Sequence, residues 1–331
     1  MSKPIRRRLA ARLCMLGIGA FAAAASHAVE SMQAYPARPV KVIVPTAPGG
    51  SIDMTARLVA ERLAKIWGQA VVVDNRPGAE MRIGTEAVAR AQPDGYTLIV
   101  VHDGAMSINA AVYAKLRYSP ARDFEPISMV SSIPTVVLAN PSFDVKTIRD
   151  LVALAKKKPG LLDHANGGPG TLLRSQLFKS AAGIDYLEVP YKGVALALAS
   201  AVAGDTQFTT SDLASASGFI HSGRLRPIGL AAAERAPAFP DLPTMAESGV
   251  NAYQATMWIG AFAPAGTPKP IIDKISRDIQ RVMRGEDIRA QMEKMYMTPI
   301  GSTSEELAGA MRRDTEIWKR LVQEKNLVID Q

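Results

Sequence analysis

Apolar residues come in short β-branched runs that alternate with longer stretches of helical period. The first run, Val42-Ile43-Val44, gives way to Pro45-Thr46-Ala47-Pro48-Gly49-Gly50-Ser51, after which Ile52, Ala56, Val59, Leu63 and Ile66 recur at three- and four-residue steps. This order predicts strand, tight loop and helix, with Gly68 closing the helix and Ser51 able to cap it. The pattern continues with a predicted strand at Val71–Val73, a turn at Asn75-Arg76-Pro77-Gly78 and a helix near Thr85–Arg90. A turn at Pro93-Asp94-Gly95 then leads to a strand at Thr97–Val101. Such alternation predicts a mostly parallel sheet with crossover helices.

Two apolar runs within Phe124–Ala139, separated by Pro134, read as strands on either side of a passage between lobes. The same grammar then returns. A helix over Ile148–Lys157 precedes a short strand near Asp163–Ala165, the loop Asn166-Gly167-Gly168-Pro169-Gly170-Thr171, and a helix ending near Gly183. A strand at Leu187–Val189, a helix over Leu196–Ala203 and a strand at Gln207–Thr210 complete the unit. Residue identity between the halves is low, so the repeat is one of architecture. Beyond it lie a strand at Leu225–Leu230, a Pro-rich segment over Phe239–Gly249, the apolar Met257–Ala263, and helices over Ile271–Met283 and Ser304–Lys325. Leu307, Met311, Trp318 and Leu321 form an apolar stripe on the last helix, expected to pack in the core.

Each glycine loop leaves backbone N–H groups and the positive end of a helix dipole facing a crevice at the strand tips, which is a ready anion site. Turning the chain is the plainer role for Pro48-Gly49-Gly50; the second loop of the same design is what favours a binding role. Asp53 is expected to complement the helix dipole, and Asp212 either to cap a helix or to meet a ligand. Tyr191-Lys192-Gly193 either faces the cleft or makes a turn.

The N-terminus has to be set aside from the fold. Arg6, Arg7, Arg8 and Arg12 precede an apolar Leu13–Ala25 stretch, and Ser26-His27-Ala28 supplies a small-x-small cleavage pattern. Residues 1–28 therefore read as an export leader cut after Ala28, with the secretory and twin-arginine routes both open. The leader holds five basic residues and no acid, so the formal charge of +8 falls by five to +3. No basic block with interleaved aromatics remains, which disfavours nucleic acid as a partner. Cys14, the only cysteine, leaves with the leader, so the exported chain has no thiol chemistry. Motifs for a serine nucleophile elbow, a zinc-binding His pair, a Walker loop and a dinucleotide loop are missing, and no cofactor or metal is expected. His102, His164 and His221 are isolated from one another in sequence; His102 follows a predicted strand and can line the crevice.

Several motifs stand in one order along nearly all of the mature length: Tyr35-Pro36-x-Arg38-Pro39, Pro45-x-x-Pro48-Gly49-Gly50-x-x-Asp53, Asn75-Arg76-Pro77-Gly78, Pro93-Asp94-Gly95-Tyr96-Thr97-Leu98 and Val189-Pro190-Tyr191-Lys192-Gly193. Pro240-x-Leu242-Pro243-Thr244-x-x-Glu247-x-Gly249 and Ala263-Pro264-Ala265-Gly266-Thr267-Pro268 complete the set. Together they resemble the periplasmic solute receptors of tripartite tricarboxylate transporters, the Bug family. The resemblance implies an α/β two-lobed periplasmic binding protein (Venus-flytrap) fold, each lobe a mostly parallel sheet flanked by helices. Residues 29–130 and 250–331 would form one lobe and 131–249 the other. It implies a small carboxylated solute held by Thr46, Ala47, Pro48, Gly49, Gly50 and Asp53 from one lobe and by Gly168, Gly170, Thr171 and Asp212 from the other. A monomer passing solute to membrane transporter subunits is expected; the rival readings are a ligand-sensing subunit for a membrane signalling partner and a secreted α/β enzyme acting on small acids. The chain departs from the family pattern at Thr46, where an aromatic is common, at Glu80-Met81-Arg82, where Gly-Gly-Asn-like residues are common, and at Leu172-Leu173-Arg174. Arg82 and Arg174 are expected either to add cationic contacts or to be solvated.

Overall fold

The computed structural model describes residues 35–251, 253 and 255–327. The leader at 1–28 and its cleavage after Ala28 lie outside the described residues. The chain begins with β1 (Val40–Val44), α1 (Ser51–Trp67), β2 (Val71–Asn75), α2 (Arg82–Ala89) and β3 (Thr97–His102). A π-helical turn at Gly104–Ile108 runs into α3 (Asn109–Val112), and α4 (Pro120–Asp123) leads into β4 (Phe124–Ile133). Next come β5 (Thr135–Ala139), α5 (Ile148–Lys157), β6 (Asp163–Asn166), α6 (Pro169–Ala182), β7 (Leu187–Pro190), α7 (Val194–Ala203), β8 (Phe208–Asp212), α8 (Leu213–His221) and β9 (Arg226–Ala231). The chain closes with β10 (Met257–Pro264), α9 (Lys269–Met283), α10 (Glu286–Lys294), β11 (Thr298–Pro299) and α11 (Ser304–Lys325).

The strands form two sheets, ordered β11-β4-β10-β3-β1-β2 and β7-β6-β8-β5-β9. The repeat read from the sequence is a repeat of topology. β2-β1-β3 and β7-β6-β8 share one order, and all pairs within them are parallel. The expectation of mostly parallel sheets needs correction, because both sheets are mixed. β10 lies antiparallel to β3 and β4, and β5 lies antiparallel to β8 and β9. The cause is the path of the chain. It leaves the first sheet at β4, crosses at Pro134 into β5, and returns after β9 to add β10 and β11 to the first sheet.

Each sheet has its own core. Val44, Ile99, Val101, Ile127 and Phe262 are fully buried in the first, as are Val137, Ala139, Phe178 and Phe208 in the second. Leu307, Met311, Trp318 and Leu321 of α11 are all buried, as the periodicity predicts. Trp318, Leu321 and Val322 pack with Ile108 and Val112 and also with Leu173 of α6, so the last helix ties the two sheets together. Thr303 caps α11 through a reciprocal bond pair with Glu306.

Candidate functional site

The carboxyl-terminal ends of β1 and β6 point at a cavity between the sheets, with α1 and α6 starting on opposite sides of it. Its volume is about 240 Å³, which suits a small solute. The walls include Thr46, Gly50, Ser51 and Ile52 from the β1–α1 loop, and Gly167, Gly168, Pro169, Gly170 and Thr171 from the β6–α6 loop. Glu80, Met81, His102, Asn109, Thr135, Arg174, Thr210, Ser211 and Asp212 complete most of the lining. A larger hollow of 440 Å³ around Met106, Tyr118 and Met311 shares no residue with this cleft.

The β1–α1 loop is braced from inside its own helix. The Asp53 carboxylate accepts hydrogen bonds from the Gly49 N–H (2.9 Å), Arg57 Nε (3.0 Å) and Asn75 Nδ2 (2.9 Å), and Asn75 Nδ2 also reaches the Thr46 carbonyl. Burial alone would raise the Asp53 pKa; the bonds from Arg57, Gly49 and Asn75 outweigh it and hold the carboxyl below its usual range. Asp53 is 3% exposed and does not line the cleft, and neither do Ala47, Pro48 and Gly49. The resemblance implies ligand contact for all four; Asp53 and Gly49 also brace the loop through their own hydrogen bond. Left-handed backbone falls at Gly49 (φ 90°), whereas Gly50 is extended (φ −80°) and occupies the helix-cap position expected of Ser51. Nothing lies within 4 Å of where a Cβ would stand at Gly50, so that position opens onto free space.

The β6–α6 loop is held without charge. Asn166 Oδ1 accepts from the Gly168 N–H (2.8 Å), and the Thr171 hydroxyl accepts from the Gly167 N–H (2.8 Å). Gly167 packs against α7, where a Cβ would come within 2.7 Å of Val194, and Gly168 has a φ of 132° that favours glycine. Thr46, Gly50, Gly168, Gly170, Thr171 and Asp212, all named from the sequence, therefore meet around one cavity. Asp212 both lines it and caps α8, its Oδ1 accepting from the Ser215 N–H at 2.8 Å.

Arg174 is neither solvated nor free. From the second turn of α6 its Nη2 reaches across to Asp103 Oδ2, just after β3, at 2.5 Å, with both side chains buried. Burial would raise the Asp103 pKa, but the neighbouring guanidinium prevails and lowers it. His102 lines the cleft, and its Nδ1 accepts the Gly104 N–H at 2.8 Å. His164 is a core residue bridging Glu188 and Thr210, and His221 is paired with a backbone carbonyl of its own helix. Tyr191 bonds Ser200 and makes a turn. Among the described residues, no cluster of acids and histidines could hold a metal ion.

Residues 79–81 take an unusual path. Ala79, Glu80 and Met81 have successive φ values of 47°, 52° and 68°, a conformation that costs roughly 1–2 kcal/mol per L-residue. Bonds from Asn109 Nδ2 to the Glu80 carbonyl and from the Thr85 N–H and hydroxyl to the Met81 carbonyl hold this turn against the cleft. Three buried polar atoms of lining residues have no hydrogen-bond partner among the described residues: Thr46 Oγ1, Ser211 Oγ and Arg174 Nε. Asn109, Thr135 and Thr210 carried no signal in the sequence: Asn109 and Thr135 adjoin apolar residues, and Thr210 lies inside a predicted strand.

Residues 55–327 match the family model described as the tripartite tricarboxylate transporter family receptor. The chain is 33% identical to the protein BugT of Bordetella pertussis, over 93% of this chain and 95% of that one. Among solved structures, it resembles an R. palustris protein solved with adipate, Rpa4515 (TM-score 0.81, 29% identity, 90% of this chain and all of that one). It also resembles MatC from Rhodopseudomonas palustris with bound malate (TM-score 0.76, 31% identity, 87% of this chain and all of that one). With its two mixed sheets and the cleft between them, the chain belongs to the tripartite tricarboxylate transporter receptor family of solute-binding proteins.

Proposed function

We propose that the exported protein, its leader removed after Ala28, captures a small carboxylate in the cleft and delivers it unchanged to membrane subunits of the tripartite tricarboxylate type. The observation that carries this is that three residues lining one cavity from its two sides each hold a buried polar atom without a partner among the described residues, Thr46 Oγ1 on the first side and Ser211 Oγ and Arg174 Nε on the second. Buried polar groups are ordinarily paired, so such a set marks a place for a polar guest. The starts of α1 and α6 add positive dipole ends, which favour an anion. Thr46, Gly50, Gly168, Gly170 and Thr171 would make the direct contacts, with Ser211 and Asp212 at the side. Relatives of the same fold solved with adipate and malate support a carboxylate.

Binding without turnover fits the chemistry of the walls. His102 uses its acceptor nitrogen on the Gly104 N–H, so its ring offers the cleft a donor and not a base. Mass spectrometry of the ligand retained by gently purified protein, followed by calorimetry with that compound, is the test. A small acid recovered unchanged is the expected result; a ligand without a carboxylate, or conversion of the acid to a new product, would overturn the reading.

A further inference from the structure

We propose that Glu80 decides which acids the cleft accepts: it disfavours a second carboxylate and favours a solute whose far end carries an ammonium or another N–H donor. This inference rests on the carboxylate reading above. Glu80 is held in place on both sides. Its carbonyl accepts from Asn109 Nδ2 at 2.9 Å, and the next residue, Met81, is buried and pinned through its own carbonyl by Thr85. The left-handed turn over residues 79–81 thus carries the Glu80 side chain into the cleft. There its carboxylate reaches the opposite loop, with Oε2 and Oε1 3.5 and 3.7 Å from where a Cβ would stand at Gly168. Among the described residues, none donates a hydrogen bond to that carboxylate.

The ionisable groups around it sharpen the point. Asp212 is a second acid on the wall. Arg174, the guanidinium in the lining, is already neutralised by Asp103. His102 accepts the Gly104 N–H on Nδ1. Arg82 lies outside the lining, with its guanidinium 4.1 Å from the centre of the Tyr113 ring. A dianion in this cleft would bring its second carboxylate against Glu80 and Asp212 without an unengaged cation on the lining to offset them. A donor at the same place would instead satisfy Glu80.

The test is calorimetry on the full mature protein with isosteric pairs: succinate against succinamate, glutarate against glutaramate, adipate against adipamate, with 5-aminopentanoate as the ammonium case. Wild type should prefer the best amide or amine acid over its diacid by about tenfold or more, the scale of one like-charge contact. Glu80→Gln should erase most of that preference by strengthening diacid binding. Glu80→Asn, which tolerates the left-handed backbone, should do the same and guards against a folding defect in the first variant. Diacids bound by wild type as tightly as their amides, or a ratio unchanged in both variants, would overturn the role of Glu80 and leave the carboxylate reading intact. If no acid of any kind bound, the carboxylate reading would fall and this inference with it.

Discussion

The two glycine loops do one job with different chemistry. The β1–α1 loop is braced by an ionised, buried Asp53 that collects bonds from Gly49, Arg57 and Asn75. The β6–α6 loop is braced by an amide and a hydroxyl, Asn166 and Thr171. In both, local acceptors take up the N–H groups just before the helix, Gly49 in one and Gly167 and Gly168 in the other, so the loop keeps its shape while the helix start faces the cleft. The difference teaches that the repeat conserves backbone geometry and not side chains. It also places the charge unevenly: α6 alone sends an arginine across the cleft, to Asp103 beside the first sheet.

The largest effect should follow from breaking that one-sided link. Arg174→Ala leaves Asp103 buried and unpaired, a change worth about 3–5 kcal/mol. Urea denaturation should show this loss, and adding Asp103→Asn to Arg174→Met should recover much of it. A single variant as stable as wild type would mean that the pair does not hold the two sides together.

Next in size is the brace of the first loop. Asp53→Ala strands the Gly49 N–H and Arg57 and should cost about 3 kcal/mol, on the order of 5 °C in melting temperature. The same contrast appears in acid. The folded pKa of Asp53 is lowered, so its stabilisation is complete above the unfolded value of about 3.9 and is lost as pH falls through the folded value. Asp103 is lowered too and adds to the same loss. Wild type should therefore weaken below about pH 4, and Asp53→Asn should flatten that acid limb. Replacing Asn166 by Ala, in the neutral brace, should lower stability without changing its slope with pH. Parallel acid limbs in wild type and Asp53→Asn would contradict the assignment.

Much of this was legible in the sequence. β-branched runs and Pro-Gly punctuation located β1, β2, β3 and β5, the span of α5 was read to the residue, and both loops were found from glycine and proline alone. What stayed hidden depended on contacts distant in sequence. The antiparallel β5 and β10 arise from a chain crossing that local pattern does not encode. α8 is rich in Ser, Ala and Gly and has no sharp apolar period. His164 adjoins Asp163 yet pairs with Glu188 opposite it on the parallel ladder, because neighbours in a strand face opposite sides. Asp103 and Arg174 meet from 71 positions apart, and nothing near either residue announces the other. Asp53 was read as a dipole partner at a helix start; its deeper role needed Asn75, on the neighbouring strand.

The central claim is that one solute is gripped from both sheets, and one titration series tests it: ligand-induced thermal shifts of wild type, Gly50→Val and Ser211→Ala with the retained acid. At a hundred times Kd, wild type should gain about 2.7 kcal/mol. Gly50 has extended backbone and open space beside it, so valine there should change the free protein little, by the loss of a favoured cap residue alone, while blocking the cleft. Ser211 has a buried hydroxyl without a partner among the described residues, so alanine should leave the free protein as stable or slightly more so, yet weaken binding about tenfold. Both shifts should shrink while both ligand-free melts hold. A full shift in either variant would mean that its side of the cleft does not hold the ligand, and the two-sided grip would be contradicted.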